Sequence, residues 1–475
     1  MAVDNKLKLV DTTLRDGAQS LWGMMTSHHM SEPIMQEMGE VGYDTIDLSL
    51  NFAQMIISTR FFKEDPAETF RMWSEKLKGT KTNIMSAGMG ASMGVSAAVE
   101  NKTALKMYYG QLKKWVPQLN QILCICCTQD EIKNTFPVLF PMLRSLGMEP
   151  IPYMAIGHGP QHTPEFYAAK AKELVEKFQP ISICFKDVDG LLVPERTREL
   201  IAAVQAVVGD TPLEFHMHGM NGLNTYNAVV AMEMGVRKFS SGIPPLANGA
   251  AHMSVFDIVK NAEALGIPHD IDVEKCKIVT ERLTKIGEDY GHPVNNYHLP
   301  YDVSGYKHQI PGGVISNTVT QLAQLDMSDR LQDVLDEIPL ILEDLGHPVM
   351  ITPFSQFIVT QAVLNITMGR WEECLDPCVE FAAGIYGIEE AGVPYMNQEL
   401  KKKLLSLPQA KGIIEKANGL MDYLNSEPSE AECKEKVGLT ADATTEEYVE
   451  RYVYRGDEEL KNCTPGGPEF YRKYL

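Results

Sequence analysis

Through its first half the chain alternates short apolar runs with longer amphipathic ones. The short runs are LKLVDTT (7–13), TIDLSL (45–50), TNIMSA (82–87), ILCICC (122–127), EPIPYMAI (149–156), ISICFKD (181–187), PLEFHMH (212–218) and VRKFSSG (236–242). Runs of this length and composition predict strands. The stretches between them predict helices, as in PEFYAAKAKELVEKF (164–178) and PERTRELIAAVQAVV (194–208). Both open on Pro, which the first helical turn tolerates because its backbone N–H has no partner there anyway. Strand alternating with helix predicts parallel βα units, and eight of them close a barrel. The expected fold is therefore α/β, a (β/α)8 TIM barrel over residues 1–268 followed by a C-terminal α-rich domain. From about residue 265 the strand rhythm stops and helical segments follow at 273–291, 327–346 and 353–369. They define the second domain, 269–425. Residues 426–475 are more polar and read as a C-terminal appendage on the surface.

Composition agrees with this division. The chain has 475 residues, enough for a barrel of roughly 250 and a second domain of about 200. Apolar residues make up 44% and charged residues 22%, the balance of a packed globular protein. The net charge of −20 repels a phosphate backbone and argues against nucleic acid as a partner. The opening MAVDNKLKLVD has no apolar signal region. No run reaches the ~18 apolar residues of a membrane span. Nine Cys, none at metal-ligand spacing, read as reduced core thiols and predict a cytoplasmic protein.

The candidate chemistry sits at the strand ends, where such barrels place their active sites. HMH at 216–218 puts His216 and His218 two residues apart on a strand, hence on one face and within reach of one ion. Asp16 follows the first strand, which neighbours the later ones once the barrel closes. Two imidazoles and a carboxylate suit Zn, Mn or Co. Lys186 ends an otherwise apolar strand. Asp187 is adjacent but points to the opposite face, so it pairs poorly with Lys186. A neutral amine at this position can add CO2 and become an anionic carbamate ligand. In DTTLRDGAQS (11–20), Arg15 can grip a carboxylate and Gln19 can donate to a carbonyl oxygen.

Five segments in order resemble the metal-dependent, biotin-dependent carboxyltransferases. These comprise the carboxyltransferase domain of pyruvate carboxylase, the central subunit of transcarboxylase and the α-subunit of oxaloacetate decarboxylase. The segments are DTTLRDGAQSL, CFKDVDGLLVP, FHMH, YKHQIPGGVISNTVTQL and TPFSQFIVTQAVLNITMGRW, spread over about residues 7–390. The more distant lyase and synthase branch of the superfamily lacks the last two. The resemblance implies metal ligation by Asp16, His216, His218 and a carbamylated Lys186, and substrate contact by Gln19. It also implies a catalytic role around Arg15 and Lys186, a homodimer, and CO2 exchange between carboxybiotin and a carbonyl-activated small molecule. No lysine lies between two methionines, ALKM (104–107) being the nearest approach. The biotin is therefore expected on a separate carrier protein, charged by a biotin carboxylase subunit.

The acceptor pocket departs from the family pattern. LSLNFAQ (48–54) replaces a tryptophan-glycine-glycine segment. IMSAGMG (84–90) stands where the family has an arginine that would hold a 2-oxo acid carboxylate. Gly219 follows the second histidine in place of Asp or a hydroxyl residue. The eighth-strand loop reads SSGIPPLANGAAHMS (240–254). Asn51, Ser86, His158 and Asn248 are left as candidate substrate contacts, and simple pyruvate is expected to be a poor acceptor. The alternative is a metal-dependent C–C lyase or aldolase of the same superfamily that works without biotin.

Overall fold

The computed structural model describes residues 5–49, 52–86, 101–126, 131–295, 301, 303–311, 314–315, 318–319, 322–323, 326–351, 353–387 and 393–454. Eight parallel strands close a barrel in sequence order. They are β1 (Lys8–Asp11), β2 (Thr45–Asp47), β3 (Thr82–Ser86), β4 (Leu119–Cys126), β5 (Glu149–Ala155), β6 (Ile183–Asp187), β7 (Leu213–Met217) and β8 (Lys238–Ser241). Each falls on one of the eight apolar runs. β4 alone starts clearly earlier, because Leu119 and Gln121 pair with Thr82 and Asn83 of β3. β1 ends at Asp11, and the chain turns at once into a π-helical turn, Thr13–Gly17.

The barrel interior is filled rather than hollow. Leu123, Ile151, Tyr153 and Cys184 form a small apolar layer inside it. Strand period two then places Lys186 above Cys184, and Lys186 is in register with His216 of β7. The inward face thus changes from apolar to polar toward the C-terminal strand ends. Outside, the strands pack on helices such as Pro66–Lys76, Pro164–Phe178 and Pro194–Val208, all with Pro in the first turn. Asp65 and Thr163 cap the first two through hydrogen bonds from the backbone N–H of Ala67 and Phe166.

A second hydrophobic core runs from Ile310 to Ile413, and Ala155 at the end of β5 belongs to it, with Ile125 and Val188 packed against it. The helical region therefore lies over the ends of β4, β5 and β6. Gln161 Nε2 donates to the carbonyls of Gly346 (3.0 Å) and His347 (3.2 Å), and Asn221 Nδ2 to Tyr306 Oη (2.9 Å). Helix Val273–Tyr290 packs on the barrel through Cys276, Val279 and Leu283. Within the polar stretch 426–475, helices Glu430–Lys436 and Thr445–Tyr454 return to the barrel and bury Cys433, Tyr448 and Val449 in its core. The CTPGGPEFY segment lies outside the described residues. No described helix is long and apolar enough to cross a membrane.

Candidate metal centre

Asp16 is presented by the π-helical turn after β1 and is 3% exposed. That turn passes under the loop after β8 so closely that a Cβ on Gly17 would lie 2.2 Å from the Leu246 carbonyl oxygen. Arg15 fixes the carboxylate from below. Its Nη1 donates to Asp16 Oδ2 (2.6 Å) and its Nε to Asp47 Oδ2 on β2 (2.6 Å). Ser20 Oγ donates to Asp16 Oδ1 at 3.1 Å. The opposite side of the carboxylate faces β7. His216 Nε2 is 3.2 Å from Asp16 Oδ2, and His218 Nε2 is 3.4 Å from Asp16 Oδ1. The other nitrogens of both rings are held from outside. His218 Nδ1 lies 2.7 Å from the Ala250 carbonyl, and His216 Nδ1 lies 3.2 Å from both Tyr153 Oη and Ser240 Oγ.

A third imidazole joins them, and sequence reasoning missed it. His252 stands on the loop after β8, its ring centroid 3.9 Å from that of His216 and 4.7 Å from that of His218. Asp16, His216, His218 and His252 each offer a ligand atom within 4.8 Å of one another, and all four are buried. A lone histidine thirty-odd residues beyond the HMH pair has no diagnostic spacing. The one sequence signal that bears on it is Gly219, whose lack of a side chain lets this loop come close to the end of β7.

Lys186 is buried beside His216. Its Nζ lies 3.6 Å from Met85 Sδ and 5.7 Å from the centre of the Tyr153 ring. Among the described residues no ion pair neutralises it. Asp187 points the other way, its two oxygens accepting the N–H groups of Leu191 (3.0 Å) and Leu192 (3.1 Å). Burial, and then the Arg15 charge, push the Lys186 amine down to about 8. Burial likewise lowers all three imidazoles, so His216, His218 and His252 are neutral at physiological pH. Burial acts to raise Asp16, but the Arg15 guanidinium against it outweighs this and holds the carboxylate ionised.

The cluster thus contains an anionic carboxylate facing neutral imidazoles. His252 Nε2 is buried without a hydrogen-bond partner. Donor atoms of this kind, shielded from water and turned toward one point, fit a divalent cation with mixed nitrogen and oxygen ligation.

The remaining candidates scatter. Gln19 is exposed on helix Ala18–Trp22, directly after the turn that carries Asp16. Asn248 adopts a left-handed conformation (φ 66°) and shapes its own loop, its Oδ1 accepting Ser254 N–H at 2.9 Å. His158 belongs to a separate cluster with Asp187 and Asp189. There its Nε2 lies 3.0 Å from Asp189 Oδ1 and its Nδ1 accepts from Arg196 at 2.6 Å, so both ring nitrogens are occupied. Ser86 closes β3 opposite Cys124, but its side chain, like Asn51 and residues 87–90, lies outside the described residues.

The model of the HMGL-like family matches residues 6–282, and that of the conserved carboxylase domain matches residues 306–459. Among curated relatives, a pyruvate carboxylase subunit of Methanocaldococcus jannaschii is 28% identical over 405 residues, covering 84% of this chain and 68% of that one. The 2-oxoglutarate carboxylase large subunit of Hydrogenobacter thermophilus is 27% identical over 405 residues, and the chain spans only 60% of its length. The methylmalonyl-CoA carboxyltransferase 5S subunit of Propionibacterium freudenreichii subsp. shermanii is 28% identical over 233 residues, covering 49% of this chain and 46% of that one. The fold is that of the carboxyl transferase domain of Rhizobium etli pyruvate carboxylase, solved with pyruvate and biocytin. Its TM-score is 0.81 at 19% identity, covering 97% of this chain and 77% of that one.

Proposed function

Because the chain belongs to the HMGL-like family and carries a conserved carboxylase domain behind its barrel, we propose that it is the carboxyltransferase subunit of a biotin-dependent carboxylase or decarboxylase. Asp16, His216 and His218 hold one divalent ion in this reading, with Lys186 as a carbamylated further ligand. The buried, unpaired Lys186 amine, lowered to about 8, is of the type that reacts with CO2. A metal ion bound there supplies Lewis acidity to an acceptor carbonyl and stabilises the enolate that exchanges CO2 with carboxybiotin. Arg15 keeps the Asp16 carboxylate ionised and aimed, and Gln19 donates to substrate in this reading. In this reading biotin arrives on a separate carrier protein charged by a biotin carboxylase; these 475 residues contain no lysine between two methionines. A cytoplasmic homodimer is the expected working form.

The observation that carries this reading is the match of 306–459 to the conserved carboxylase domain in the chain whose barrel mouth gathers the donor set. A biotin-independent lyase or aldolase, the second reading, needs only the barrel. We further propose that simple pyruvate is a poor acceptor. No arginine stands in IMSAGMG (84–90), and Arg15 is already bonded to two carboxylates, with only Nη2 left over. A lost charge-assisted hydrogen bond of roughly 1.5–3 kcal/mol lowers kcat/KM by about 10- to 150-fold.

The test is slow decarboxylation of oxaloacetate, carboxylated 2-oxoglutarate and methylmalonyl-CoA, each with and without free biotin. The expected result is biotin stimulation of at least one, with oxaloacetate the weakest. It should be abolished in His216→Ala and His218→Ala, which also lose the roughly one bound metal per chain. C–C cleavage indifferent to biotin selects the lyase reading instead.

A further inference from the structure

We propose that His252 is itself a ligand, through Nε2, of the ion held by Asp16, His216 and His218, giving three imidazoles and the Asp16 carboxylate beside the Lys186 carbamate. The inference rests on the metal-site reading above and goes beyond the ligands that the sequence motifs supply.

The first ground is the hydrogen-bond chemistry around the ring. Thr12 Oγ1 donates its single proton to the Ser241 carbonyl, 3.0 Å away. The same oxygen lies 2.7 Å from His252 Nδ1. Having spent its proton, the hydroxyl accepts there, so His252 carries its hydrogen on Nδ1. Nε2 is then a bare lone pair. It is buried, and it has no hydrogen-bond partner, although removing a lone pair from water without a donor is costly. His218 has the same polarity, because the Ala250 carbonyl at 2.7 Å accepts from its Nδ1–H. Both rings therefore present an unprotonated Nε2 to Asp16. An imidazole whose outer N–H is tied to a hydroxyl or carbonyl while its inner nitrogen points at other donors is the arrangement of a metal-ligating histidine. His158 pairs both of its nitrogens, and His162, which also leaves Nε2 without a partner, accepts Gly159 N–H on Nδ1 (3.1 Å), so its Nε2 carries the proton and offers no lone pair.

The second ground is the loop itself. It is tied down on either side of His252. Gly219 N–H donates to the Ala251 carbonyl (3.1 Å), Asn248 N–H to the His252 carbonyl (2.6 Å) and Gly242 N–H to the Met253 carbonyl (3.1 Å). The segment that gives His218 its outer partner, Ala250, thus also delivers His252. His252 is 1% exposed, and its loop is hydrogen-bonded to the segments that follow β7 and β8.

The test uses the full-length chain, stripped of metal and reloaded with Co2+. X-ray absorption at the cobalt edge should count three imidazoles in the wild type and two in His252→Gln. The Kd for Co2+ should rise in His252→Gln by more than the roughly 10–100-fold that loss of an outer hydrogen-bond partner costs. Thr12→Val, which removes only such a partner, should stay within that range. Two imidazoles in the wild type, or an unchanged spectrum and affinity in His252→Gln, would overturn the proposal while leaving the metal site intact. Failure of the wild type to bind Co2+, or unaltered binding in His216→Ala, would overturn the metal-site reading itself. Should His252→Gln not fold, the imidazole count in the wild type still decides.

Discussion

Asp11 and Asp16 stand five residues apart, both wholly buried, in opposite protonation regimes. Asp16 has a guanidinium against it and stays ionised. No cation among the described residues pairs with Asp11. Thr13 donates to its Oδ1 while Oδ2 is left without a partner, and burial pushes the carboxyl up to about 7. The motif DTTLRDG shows two aspartates and one arginine but not which carboxylate the arginine reaches, because that depends on the π-helical turn between them. The difference has a measurable consequence. The folded Asp11 pKa lies above its unfolded value of 3.8. Its contribution is therefore fully present below about pH 4 and is lost as pH rises through about 7, since the folded state must give up a proton it holds tightly. Asp11→Asn removes this titration. Urea midpoints of wild type and Asp11→Asn, followed from pH 4 to 8, should diverge in that window, the wild type falling relative to the variant. Parallel curves would show that Asp11 is ionised in the fold.

At the scale of elements, the strands were the most legible part. All eight apolar runs became barrel strands, and the period of two put His216 and His218 on one face and Asp187 away from Lys186. What the sequence hid is the loop after β8, because a loop has no period and its partners are distant in the chain. Gly219 illustrates this. As a departure from the family pattern it reads as a loss, a missing Asp or hydroxyl. In the fold it is a requirement of closeness. A Cβ there would lie 2.8 Å from the Gly249 carbonyl oxygen and 2.9 Å from Asn224 Nδ2. Only glycine lets the end of β7 meet the loop that carries Ala250 and His252. Asn248, a candidate substrate contact, braces that loop through Ser254. Gly219→Ala should push the loop outward, costing about 1–3 kcal/mol by overpacking and weakening metal affinity through both histidines at once. Thermal denaturation with and without Co2+ measures both effects. A variant that melts and binds like the wild type would mean that the loop has slack there and that its closeness is not essential.

For the whole molecule, the barrel is held at more than one place by chain that comes after it. The helical region closes over the ends of β4, β5 and β6, and the last described helices come back to the barrel wall. Thr445–Tyr454 packs on helices Lys102–Trp115 and Phe52–Ile57. Asn101 Nδ2, at the start of the former, donates to Tyr423 Oη at 3.0 Å. Average polarity concealed this docking. TEEYVERYVY is rich in charge, but it turns Tyr448 (2% exposed) and Val449 (0%) inward, while Arg71 pairs with Glu446 at the rim. The surface pair adds little, about 0–1 kcal/mol, so the apolar side chains carry the attachment. Tyr448→Ala deletes a large buried ring and should cost on the order of 3 kcal/mol, as other buried aromatic truncations do. Arg71→Ala should cost less than about 1 kcal/mol. The ring lies among barrel helices and not among the metal-binding side chains, so Co2+ affinity measured below the melting range should stay that of the wild type. Equal stability losses in the two variants would mean that the charged rim, not the buried ring, fastens this helix to the barrel.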